Sequence, residues 1–165
     1  MSNGRAQGWP LWLVLPLLLL LHFYVRPRFY SGRGAPDFLL LALLIVALET
    51  RPGPAAVAGF AVGLVTDVLA PVRVGAGALA HTVVAYLAAW GRSVFFPDNV
   101  LVNMVVFGAC TWLRNLILLF ASDPGLGALV GSLAPWGLLQ VATTAVAGGV
   151  VTLALRHRVD VRLEE

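Results

Sequence analysis

The sequence predicts an all-α integral membrane protein: one domain over residues 1–165, built as a bundle of six transmembrane helices. Three observations lead there. The chain is 59% hydrophobic and only 12% charged, against about 25% charged residues in an average soluble domain. Its mean hydropathy is +0.88, too apolar for polar groups to cover a water-facing surface, so lipid is the expected solvent. Apolar runs also recur along the chain, separated by short breaks rich in Pro, Gly and Arg. The expected spans are about 9–25, 37–50, 54–70, 75–90, 100–121 and 127–155.

The first run, WPLWLVLPLLLLLHFYV, looks like the core of a signal peptide, yet RPRFY follows it and no small-residue cleavage site does. It therefore reads as an uncleaved span, with Trp9 and Trp12 at one interface and Phe23 and Tyr24 at the other. His22 reads as an interfacial histidine. After the loop 26–36 comes DFLLLALLIVALE, short for a span, with Asp37 placed to start a helix behind Pro36. Arg51-Pro-Gly-Pro54 is a tight turn, so the second and third helices form an antiparallel hairpin.

The third helix ends at the break 71–75, and the fourth is rich in small residues: Gly77, Ala78, Ala80 and Ala85. Asp98 or Asn99 caps the fifth helix, which carries Asn103, Cys110, Thr111, Arg114 and Asn115 within its apolar run. The sixth is the longest run and is interrupted by Pro135. A lone cysteine, Cys110, makes no internal disulfide. All eleven basic residues are Arg. With both termini cytoplasmic, Arg5, Arg51, Arg92, Arg156, Arg158 and Arg162 lie inside, and Arg26, Arg28, Arg33 and Arg73 lie outside. Six against four favours that orientation.

The most informative stretch is AGFAVGLVTDVL, Ala58–Leu69. Gly59, Gly63 and Asp67 stand at i, i+4 and i+8, on one helix face. Two glycines let another helix approach closely. A carboxylate in hydrocarbon costs about 2.5–3.5 kcal/mol on insertion scales unless it finds a partner. Arg114 and His81 are the candidate partners for Asp67, while Arg114 has the further option of snorkelling to an interface. Gly77, Tyr86 and Asn115 complete the set. For Asp67, a clasp that fixes bundle packing and a polar pocket for a ligand or partner helix stand level. The glycines, His81 and Asn115 lean towards packing. No nucleophile elbow, phosphate loop or pair of metal-binding histidines on one helix occurs, so no enzymatic activity, cofactor or metal is expected. The net charge of +3 sits in short loops and a tail, which speaks of membrane orientation and not of nucleic acid.

The segment Pro36–Arg92 resembles the middle of the bacterial rod shape-determining MreD family. The resemblance rests on an AGFxxGLxxDxL helix, here Ala58, Gly59, Phe60, Gly63, Leu64, Asp67 and Leu69. After a short break, a GxxALxxxxxxYL helix follows, here Gly75, Ala78, Leu79, Tyr86 and Leu87. It implies a non-catalytic inner-membrane component of the elongation machinery, or elongasome, that lays down lateral peptidoglycan. The implied partners are MreC, a single-span protein with a large extracytoplasmic domain, and less directly MreB, RodA and a class B penicillin-binding protein. The family's helical layout is similar to the substrate-binding subunits of energy-coupling-factor transporters. That similarity implies a groove able to seat the MreC transmembrane helix and the segment after it. It also supplies the rival reading, a subunit for uptake of a vitamin or other small molecule, which needs several convergent polar side chains.

Overall fold

A computed structural model describes residues 8–24, 34–69, 75–92, 99–121 and 133–160. Among these residues there are six α-helices: α1 Gly8–Tyr24, α2 Phe38–Glu49, α3 Pro52–Leu69, α4 Ala76–Arg92, α5 Val100–Phe120 and α6 Leu138–Asp160. Arg5, Arg26, Arg28, Arg33, Arg73, Arg162 and the beginning of the expected sixth span lie outside the described residues, as do the side chains of Trp9 and Trp12. Pro52–Leu69, Val100–Phe120 and Pro135–Ala154 are each long and apolar enough to cross a membrane.

The shortest helix holds the centre. Apolar on every side, α2 buries Leu39–Ile45 and Ala47, as a helix without a polar face must. At roughly 18 Å it is shorter than a bilayer core of about 30 Å, and it packs against α1, α3, α4, α5 and α6. Asp37 starts it, its carboxylate accepting the Leu40 N–H at 3.1 Å. At the other end, the Thr50 hydroxyl donates to the Val46 carbonyl at 3.0 Å. There Arg92, from the last turn of α4, donates to the Leu48 carbonyl and stands 3.5 Å from the Glu49 carboxylate. The connection to α3 is tighter than the sequence suggests, because the helix begins at Pro52 inside the expected turn. Proline suits a first helical position, where its missing N–H has no partner to lose.

Around α2, the remaining helices pair as α3 with α4 and α5 with α6. Asn99 caps α5 through the Leu101 N–H at 2.9 Å, as the sequence allows. Leu133–Gly137 forms one wide π-type turn containing Pro135 that leads into α6, where a proline without an N–H loosens the helical ladder. The Phe107 ring of α5 fills the space that a side chain at Gly148 of α6 would need. Outward-facing positions remain apolar: Val57, Phe60, Val68, Leu101, Val105 and Phe120 are all exposed. Helix directions alternate, so the ends of α1, α3 and α5 and the starts of α2, α4 and α6 share one end of the bundle. Both polar clusters lie there.

Candidate functional site

The first cluster joins α3 to α4. Gly75 stands at the N-terminal boundary of α4, and its carbonyl accepts the first helical bond, from Leu79 N–H at 3.0 Å. Its φ of +95° is one that glycine adopts without strain. Glycine has no side chain with which to satisfy the orphaned N–H groups at a helix start. Asp67 does so from the neighbouring helix: Oδ1 accepts from Gly77 N–H at 2.8 Å, and Oδ2 accepts from Gly75 N–H at 2.9 Å and Ala78 N–H at 3.0 Å. Three donors, together with the positive end of the α4 dipole, offset the desolvation of a carboxylate only 5% exposed.

That reach works only because the two backbones nearly touch. A Cβ at Gly63 would run into the Gly77 carbonyl and the Ala78 backbone, and one at Gly77 would run into the Asp67 carboxylate itself. Gly59 meets α4 in the same way, against the His81 carbonyl. The sequence pairs Asp67 with Arg114 or His81; the structure gives it neither. Three backbone N–H groups eight to eleven residues along the chain take the carboxylate instead. His81 is buried in α4, and its Nδ1 donates to the Gly77 carbonyl at 2.7 Å.

The second cluster gathers four helices around Asp37, 1% exposed. Arg114 Nη1 of α5 lies 3.1 Å from Asp37 Oδ2. His22 Nδ1, near the end of α1, lies 3.6 Å from Oδ1 and accepts the Leu39 N–H at 3.2 Å. The Asp37 N–H donates to the Thr144 hydroxyl of α6 at 3.1 Å. Arg114 also donates to Asn115 Oδ1 at 3.2 Å, and Asn115 Nδ2 donates to Gln140 Oε1 at 3.1 Å. The Thr143 hydroxyl reaches the Gly34 carbonyl at 3.0 Å. His81 lies within electrostatic reach of Asp37, Arg114 and Asp67.

Sequence reasoning missed much of this second cluster. It treats Asp37 only as a cap, places His22 at an interface, offers Arg114 the wrong carboxylate, and passes over Gln140, Thr143 and Thr144. The available signal was the polar group Gln140, Thr143 and Thr144 within an apolar helix, beside Arg114 and Asn115 in another. Of the eight candidate residues, Gly59, Gly63, Asp67 and Gly77 join in the α3–α4 clasp, which His81 adjoins. Arg114 and Asn115 belong to the Asp37 network, and Tyr86 is exposed on the outside of α4. In both clusters the carboxylate is met by a cation or by a helix end, while His81 Nε2 and Arg114 Nε are buried without a hydrogen-bond partner among the described residues.

The family model for rod shape-determining protein MreD matches residues 5–143. That range takes in α1 to α5 and the start of α6, with most of both polar clusters. No curated protein and no solved structure matches the chain.

Proposed function

Because the chain belongs to the rod shape-determining protein MreD family, we propose that it is the membrane scaffold on which MreC is held during rod-shape maintenance. Membership carries the role in determining rod shape. The finer reading is a non-catalytic six-span domain of the bacterial inner membrane, both termini cytoplasmic, that binds the MreC transmembrane helix and supports elongasome peptidoglycan synthesis. Its layout follows that of the substrate-binding subunits of energy-coupling-factor transporters, with a protein helix as cargo in place of a small molecule.

One observation supports a scaffold above all. The buried carboxylates Asp37 and Asp67 are taken up by Arg114 and by the start of α4. A bundle locked in this way presents a fixed apolar exterior, which suits holding another helix in lipid. The uptake reading needs convergent polar groups turned towards a ligand, whereas Asp37, Arg114, Asn115 and Gln140 are joined to one another. With the arginine orientation, both clusters lie at the extracytoplasmic end, the side on which MreC carries its large domain.

Three experiments test this. Tagged protein in lipid nanodiscs should capture full-length MreC, and cells lacking the protein should lose rod shape and regain it on complementation. Complementation by a chain that captures no MreC would overturn the scaffold reading. Topology reporters fused at each terminus should both report the cytoplasm.

A further inference from the structure

We propose that the bundle interior holds a binding site for one water molecule between α4 and α5, where the water donates to His81 Nε2 and accepts from Arg114 Nε. The inference stands apart from MreC: it names the occupant of an inner polar site, whatever the exterior holds. His81 is 1% exposed and the Arg114 side chain 12%. Both of the named nitrogens are buried without a hydrogen-bond partner among the described residues.

The two residues lie at matched depth. The start of α4 and the end of α5 share one end of the bundle, and these helices pack against each other. His81 lies five residues after Ala76 and Arg114 six before Phe120, roughly 8 Å and 9 Å in from that end. Arg114 is also within electrostatic reach of His81. The neighbours of His81 one turn away on its own helix include Gly77, Ala78 and Ala85, none larger than a methyl group, which leaves room beside the ring.

Donor and acceptor chemistry selects the ligand. His81 Nδ1 bonds to the Gly77 carbonyl at 2.7 Å, which can only accept, so the ring proton sits on Nδ1. The neutral ring then presents a lone pair at Nε2 and needs a donor. Arg114 Nη1 is committed to Asp37 Oδ2 and Asn115 Oδ1, while its Nε–H can only donate. The two orphaned atoms complement each other, yet they are not joined. A cation between them would face the guanidinium charge, and an anion would face the imidazole lone pair. A hydroxyl group satisfies both, and water is the smallest molecule that carries one. Thr111, one turn before Arg114 on α5, donates its hydroxyl to the Phe107 carbonyl and keeps an oxygen able to accept the second water proton. The bridge ends on Nε and leaves the bonds to both carboxylates in place.

Solid-state NMR on the full chain in lipid bilayers, with isotope-labelled histidine and arginine, tests the site. The His81 ring signal is identified by its loss in His81→Phe. In the wild type, Nδ1 should be protonated and Nε2 not, and polarisation should pass from water to both the His81 ring and Arg114 Nε–H. His81→Phe keeps a ring and removes the lone pair, so the transfer to Arg114 Nε–H should be lost. Transfer that survives in this variant means a water held without His81, and overturns the bridge. A wild-type ring protonated at both nitrogens, or one that receives nothing from water, overturns it without recourse to any variant. A crystal structure of the wild type grown from a lipid phase should show one ordered oxygen within hydrogen-bond distance of both atoms. A larger molecule at that position would overturn the assignment to water and favour the uptake reading.

Discussion

Asp37 and Asp67 are both buried carboxylates at the same end of one bundle, and both serve a helix start, yet they are stabilised in different ways. Asp67 is satisfied by backbone alone, from three N–H groups of one neighbouring helix. Asp37 caps its own helix with one oxygen and takes a cation from α5 on the other, while α1 and α6 hold the same segment in place. The first arrangement is local and makes a hairpin. The second is distributed and joins that hairpin's central neighbour to the rest of the bundle. A charge answered by peptide groups needs only close approach, whereas one answered by a side chain needs several elements to arrive together.

Breaking the Asp37 site should have the largest effect. Arg114→Leu leaves Asp37 buried without its cation, a loss of about 3–5 kcal/mol, read as a shift in unfolding by denaturing detergent in mixed micelles. Adding Asp37→Asn keeps an N-cap side chain and removes the uncompensated charge, so the double variant should recover much of that loss. If the double variant is no better than Arg114→Leu, the pairing is not what holds Asp37.

Asp67→Asn comes next, at about 2–3 kcal/mol. The amide keeps one good acceptor and turns an NH2 group towards donors. Hydrogen exchange should rise first at Gly75, Gly77 and Ala78, with α2 unaffected. Combined with Arg114→Leu it should be additive to within about 0.5 kcal/mol; strong coupling would mean that the two sites are one.

The same contrast explains what could be read from the chain. The Asp67 clasp is written in about twenty contiguous residues, 58–78. There the i, i+4, i+8 spacing marks the glycine face, although the sequence gives no hint that peptide N–H groups would take the carboxylate. The six helices follow from hydropathy and from breakers such as Pro71 and Gly75. The Asp37 network draws on His22, Asp37, Arg114, Asn115, Gln140 and Thr144, spread over most of the chain. Spacing along one helix says nothing about which distant helices meet. The brevity of α2 was visible; the reason, that it sits inside the bundle away from lipid, needed the contacts.

Gln140→Leu tests how far the Asp37 network extends. It strands the Asn115 Nδ2 donor, which is bonded at 3.1 Å, and should cost about 1–2 kcal/mol. Asn115→Leu in the same chain removes the stranded amide and should return part of the loss; the remainder measures the bond that Asn115 Oδ1 accepts from Arg114 Nη1 at 3.2 Å.

The smallest expected effect belongs to His22. Accepting the Leu39 N–H at 3.2 Å requires an unprotonated Nδ1, so the ring proton sits on Nε2 and the bond is one between neutral groups. Interhelical bonds of this kind in membrane proteins average about 0.6 kcal/mol. His22→Leu should therefore destabilise by about 0.5–1 kcal/mol, while His22→Asn, whose Oδ1 can stand close to where Nδ1 stood, should lose less. Because α1 packs chiefly on α2, the loss should appear as faster exchange at Leu39 and leave Gly77 and Ala78 unchanged. Equal loosening at Asp67's donors would show α1 supporting both carboxylates, and the division between a local and a distributed site would not hold.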